Sequence, residues 1–175
     1  MRLSIILYTL LLCIQMACEK KEANQPIEMA FNLLKEDGEP STTFKEGENF
    51  RFLFVIRNNS SSPINFDPTF VGEIFFKVFR IDSQEGLISV GKPYQNVFCS
   101  FDGMQFVISP NSEYRFEIPW TPPQDNCCLP FCLISKNDPL SPGSYRTTIE
   151  GPFNFTYDNE SFTIDEKYSI NFEID

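Results

Sequence analysis

Phe50-Arg51-Phe52-Leu53-Phe54-Val55-Ile56-Arg57 is the stretch that decides the fold. Phe50, Phe52, Phe54 and Ile56 recur at two-residue spacing and share one face, with Arg51 and Arg57 on the other; an extended strand places side chains with that period. Turn formers bound it, Lys45-Glu46-Gly47-Glu48 before and Asn58-Asn59-Ser60-Ser61-Ser62-Pro63 after. A second segment, Glu73 to Ile81, sets Phe75, Lys77, Phe79 and Ile81 against Ile74, Phe76, Val78 and Arg80, and is expected to be a strand buried on both faces.

Outward from these, the same alternation recurs from Ile27 to Leu34, Ile64 to Phe66, Leu87 to Val90, Met104 to Ile108, Tyr114 to Trp120, Ser144 to Glu150, Phe153 to Tyr157 and Tyr168 to Ile174. The ten segments are separated by Gly, Pro, Asn, Asp and Ser, and no segment after residue 26 keeps a helical apolar stripe for three turns. The expected class is all-β, with short antiparallel strands packed as a two-sheet sandwich. No repeat of 20 to 50 residues is visible, so a propeller or solenoid is not expected.

The chain has 175 residues, room for one domain. Its 14 Lys+Arg against 24 Asp+Glu give a formal charge of −10, which repels polyphosphate, so nucleic acid is not an expected partner. The histidine count is zero. That removes Ser-His-Asp and Cys-His nucleophile pairs and His-ligated metals.

Met1-Arg2 is followed by Leu3 to Ala17, a run without charge that ends at Met16-Ala17-Cys18 and turns polar as Glu19-Lys20-Lys21-Glu22-Ala23-Asn24-Gln25-Pro26. As a helix the run would reach about 22 Å, short of the roughly 30 Å hydrocarbon layer, which favours a cleaved export signal over a permanent span. The pattern resembles a bacterial lipoprotein signal of the relaxed Bacteroidota type, with Gln15 where Leu is preferred. That resemblance implies a signal peptide over 1–17, acyl chains on Cys18, a tether over 18–26 and an outer-membrane anchor facing either the periplasm or the surface. An ordinary cleaved secretory peptide is the alternative. Acyl chains would supply membrane affinity at about 0.8 kcal/mol per buried methylene.

The domain is expected over 27–175. Within it, Phe44-x-x-Gly47-Glu48, a strand ending on Asn58-Asn59, Ile108-Ser109-Pro110-Asn111-Ser112 and Leu140-Ser141-Pro142-Gly143-Ser144-Tyr145 resemble bacterial immunoglobulin-like sandwiches, nearest to the bacterial intracellular proteinase inhibitor domain. The resemblance implies that Tyr145 packs as a corner tyrosine. Thr147 stands where the antibody strand cysteine would be, and Trp120 ends a late strand instead of sitting centrally.

Six cysteines less Cys13 and Cys18 leave four: Cys99, Cys127, Cys128 and Cys132. In an exported chain these point to disulfides. Joining the adjacent Cys127 and Cys128 strains the ring, so Cys99 is expected to reach one of them and Cys132 the other. A thiolate metal site is the alternative, but no Cys-x-x-Cys pair is present, and neither a metal nor a cofactor is expected.

Three of these cysteines fall between Thr121 and Pro142, a stretch without strand alternation that carries Pro122, Pro123, Pro130, Pro139 and Pro142. Leu129, Pro130, Phe131 and Leu133 are its candidate recognition residues; the competing reading has them cap the sandwich. Asp158-Asn159-Glu160 and Asp165-Glu166 are the nearest approach to an acid pair or a calcium loop, and read more simply as turn chemistry.

The expected function is a lipid-anchored envelope module that binds a protein or glycan and performs no catalysis. A protease inhibitor working through loop 121–142 is the second expectation, a small carboxylate-based hydrolase the third.

Overall fold

The computed structural model describes residues 26–97, 106–123 and 130–175. Fourteen strands lie among them: β1 (Ile27–Leu34), β2 (Thr43–Phe44), β3 (Arg51–Asn58), β4 (Ile64–Asp67), β5 (Lys77–Asp82), β6 (Gly86–Gly91), β7 (Tyr94–Val97), β8 (Phe106–Ile108), β9 (Glu113–Pro119), β10 (Phe131–Ile134), β11 (Gly143–Glu150), β12 (Phe153–Tyr157), β13 (Glu160–Ile164) and β14 (Lys167–Ile174). A single 3-10 turn, Pro68–Phe70, interrupts them, and no α-helix occurs among the described residues. The protein is all-β.

The Phe-rich segment is the centre of the first sheet, β1-β3-β9, where Phe54 lies opposite Phe31 on one side and Phe116 on the other. Its inward row, Phe52, Phe54 and Ile56, has no solvent exposure. At roughly 1.5–3 kcal/mol per buried side chain, this row contributes heavily to the fold. The opposite face explains the arginines. Arg51 pairs with Glu117 at 2.8 Å and Arg57 with Glu113 at 3.1 Å, while Arg115 bridges Glu113 and Glu117. Between those pairs Leu53 and Val55 pack with Leu34 as a small second cluster.

The second sheet runs β2-β14-β11, all antiparallel except the short β2, which joins β14 parallel. The hairpin β5-β6 continues it beyond β11. Aromatic rings fill the space between the two sheets: Phe54 meets Tyr168 at 5.7 Å, and Phe50 meets Phe172 at 5.1 Å and Phe44 at 4.9 Å. A third sheet, β13-β12-β4-β8, sets Phe153 against Phe54 and Phe66 against Phe116. The turn into it passes Gly151, where a Cβ would sit 3.0 Å from the Phe153 ring and 3.1 Å from the Ile164 carbonyl, so a larger residue would push the ring or the strand back by a few tenths of an ångström.

All ten expected segments carry a strand, but four strands, β2, β7, β10 and β13, were not expected. The stretch from Thr121 to Pro142 is not wholly loop, since β10 lies within it and pairs with β7. The segment from Glu73 to Ile81 is also not one continuous strand. Phe76 adopts φ 57°, which breaks the alternation, and the strand starts only at Lys77. Both Phe75 and Phe76 therefore point into the core, fully buried, with ring centroids 4.2 Å apart. A left-handed phenylalanine costs on the order of 1–3 kcal/mol, and burial of a second ring offsets it.

Candidate functional site

The hairpin β5-β6 is built from a tight acidic turn. Asp82 accepts hydrogen bonds from the backbone N–H groups of Gln84 and Glu85 at 2.8 and 2.9 Å, and Gly86 takes φ 80° to start the return strand. Those two N–H donors, Glu85 first, hold the Asp82 carboxyl below its ordinary range. The return strand, Gly86-Leu87-Ile88-Ser89-Val90-Gly91, carries no charge and no proline.

β6 pairs only with β5, and its far edge is open, among the described residues. The register runs Asp82↔Gly86, Ile81↔Leu87, Arg80↔Ile88 and Phe79↔Ser89, then shifts, leaving Val90 as a bulge before Gly91. Leu87, Ile88 and Val90 are 46%, 39% and 42% exposed, three of the four large apolar side chains so exposed among the described residues. A regular strand edge with exposed apolar side chains is a template for pairing with another strand.

Charge is graded along the hairpin. Asp82 and Glu85 mark the Gly86 end; Lys77 and Lys92 mark the Gly91 end. Lys77 lies 5.6 Å from the centre of the Phe79 ring. Lys92 lies over Tyr94 at 5.0 Å and reaches Glu73 at 3.8 Å.

Beside this edge lies a cleft of about 410 Å³, with Trp120, Leu140 and Tyr145 at its base and Arg80, Val90 and Lys136 around it. Its far wall is pinned by hydrogen bonds: the Trp120 indole N–H donates to the Asp138 carbonyl at 2.8 Å, and the Asn137 amide donates to the carbonyls of Lys92 and Trp120 at 3.1 Å each. Arg80 and Lys136 make no ion pair among the described residues. The cleft and the β6 edge share Val90 and form one continuous surface.

A second cleft, about 540 Å³, lies along β13 and is lined by Pro26, Ile27, Tyr157 and Phe162 with Glu160 and Glu166 at its margin. Asp158 and Asn159, with φ 49° and 66°, are the two-residue turn between β12 and β13, which accounts for that acidic cluster as hairpin chemistry. Glu166 accepts a hydrogen bond from the Tyr168 hydroxyl. Burial, with that carboxylate's help, pushes the phenol up.

Of the residues singled out from sequence, Cys18, Cys99, Cys127, Cys128 and Leu129 lie outside the described residues, as do the side chains of Cys132 and Leu133. Pro130 is half-buried. Phe131 is not at the surface: it is 2% exposed, with its ring 4.8 Å from Tyr94 and 6.0 Å from Phe76. Tyr94 is fixed in turn by donating its hydroxyl to the Phe75 carbonyl at 2.7 Å. A recognition wedge presenting Phe131 is thus corrected to a core side chain, because burying the ring against two aromatics outweighs leaving it in water. The β6 edge was read from sequence only as a strand. The signal that marks it is the uncharged run between Gly86 and Gly91, which a strand edge left in water would ordinarily interrupt with charge.

No protein-family model matches the chain, and no curated protein matches it significantly.

Proposed function

We propose that the chain is a cell-envelope binding module, lipid-anchored through Cys18, that engages a protein or glycan through its folded domain and performs no catalysis. The observation that carries this reading is the open β6 edge, where Leu87, Ile88 and Val90 stand in water beside the cleft over Trp120 and Tyr145. The export signal and the cysteine at its end support the location.

An immunoglobulin-like arrangement of the domain belongs to the same proposal. Support comes from β11 flanked by β14 and β5, from β2 lying parallel to the last strand, and from Tyr145 donating its hydroxyl to the Ser141 carbonyl as a corner tyrosine does. Thr147 occupies the antibody cysteine position as a buried residue whose hydroxyl has no partner among the described residues. The disulfide reading is supported by the Phe131↔Val97 pair, which sets the chain leading to Cys99 beside the chain leaving Cys127 and Cys128.

The test is a photo-crosslinking residue in place of Ser89 in the full chain, activated in intact cells. A discrete adduct in the membrane fraction is expected. Recovery of uncrosslinked protein alone overturns the binding reading.

A further inference from the structure

We infer that β6 is a self-association edge, and that two copies of this chain pair β6 with β6 antiparallel across a two-fold axis, joining their sheets into one. The inference rests on reading the same edge as the binding surface and names its occupant.

Three observations point to a second copy. The edge lacks the usual guards against strand pairing: Gly86 to Gly91 holds no lysine, proline or inward charge, and the only irregularity is the bulge at Val90, near one end. Its centre, Leu87-Ile88-Ser89, is regular and carries exposed apolar side chains that gain from being covered. The charge gradient is self-complementary. In a two-fold contact the Gly86 end of one copy lies beside the Gly91 end of the other, so Glu85, next to Gly86, faces Lys92, next to Gly91, twice over, with Asp82 and Lys77 adding the same signs one strand behind. A parallel pairing would set acids against acids and amines against amines.

Magnitude then decides the setting in which the contact forms. A six-residue strand is about 20 Å long, a small interface, and the formal charge of −10 per chain opposes approach at long range. Association is weak in dilute solution and strengthens where anchoring raises the local concentration. Salt acts on both contributions, screening the net repulsion at distance more than the contacts at the strand ends.

The experiment uses the purified full chain with Ile88→Lys, Ile88→Asp and their equimolar mixture, followed by sedimentation over a concentration series and by hydrogen exchange at the β6 amides. Ile88 is 39% exposed, so both variants fold, with Ile88→Lys melting slightly below and Ile88→Asp at or slightly above the parent because each faces Arg80 across the hairpin. The parent should self-associate as concentration rises, with Leu87–Ser89 amides gaining protection. Each variant alone should associate roughly tenfold more weakly, because like charges then face each other near the axis. The mixture should associate more strongly than either variant, because Lys then faces Asp. A parent that stays monomeric up to roughly millimolar concentration, association indifferent to both substitutions, or a mixture no stronger than its components each overturns the inference. A Ser89 adduct carrying a foreign mass, with no two-copy adduct, removes the second copy while leaving the binding module standing.

Discussion

Tyr145 donates its hydroxyl to the backbone carbonyl of Ser141 at 2.7 Å, closing the turn that leads into β11, while its ring stacks on Phe172 with centroids 5.5 Å apart. One side chain thus fixes a loop and fills the core. Tyr145→Phe should cost about 1 kcal/mol, the net worth of one hydrogen bond, and Tyr145→Ala about 3–5 kcal/mol, as read by urea unfolding. Equal losses for the two variants would show that the hydroxyl is the whole effect.

Asn58 is fully buried at the end of β3. Its amide donates to the carbonyls of Ser62 at 2.8 Å and Ile108 at 3.0 Å, and its side-chain oxygen accepts from the Ser60 N–H at 2.9 Å. Asn58→Leu leaves those groups without partners and should cost about 2–3 kcal/mol. A thermal melt unchanged by that substitution would show that water replaces the amide.

Phe131→Asp places a carboxylate where a buried ring packs on Tyr94, and should unfold the domain or lower its stability by more than about 4 kcal/mol. Near-ultraviolet dichroism reads the loss of aromatic packing. A variant that keeps the parent spectrum would return Phe131 to the surface set.

Glu113 is held below its ordinary carboxyl value of 4.5, first by the hydrogen bond from Arg115 and then by that from Arg57. Its folded value lies below its unfolded value, so its contribution is present at neutral pH and is lost as pH falls from about 4.5 through the folded value. The pairs are partly exposed, and Glu113→Gln should cost no more than about 1 kcal/mol at pH 7. Urea midpoints of variant and parent should converge on acidification. A constant gap down to acid pH would assign the loss to packing.

If acyl chains on Cys18 supply the membrane affinity, as proposed, Cys18→Ala should move the protein from the membrane fraction to the soluble fraction. Continued sedimentation with membranes, checked after a carbonate wash, would refute the lipid anchor.

The sheets were legible where alternation is unbroken, as in β3, β9 and β11, because one buried face forces a two-residue period. The fold was obscure where a local device interrupts that period. Phe76 turns left-handed to bury a second ring, so Glu73 to Ile81 looked like one strand. β10 hides among prolines and cysteines and shows only through its register with β7. β13 offers Ser161, Phe162 and Thr163 behind an acidic turn, and its pairing with β12 depends on the left-handed Asp158-Asn159 pair. The site was least legible, because composition marks the uncharged run from Gly86 to Gly91 as a strand, whereas the absence of a neighbour beyond β6 among the described residues is a property of topology alone.

The cleft along β13 begins at Pro26, where the chain leaves for Cys18. If the chain is anchored through Cys18 as proposed, Glu160, Asp165 and Glu166, which line the cleft with Pro26, form the acidic rim at the point where the tether departs. Anionic headgroups would repel that rim, and the tether would then have to hold the cleft a short distance off the lipid.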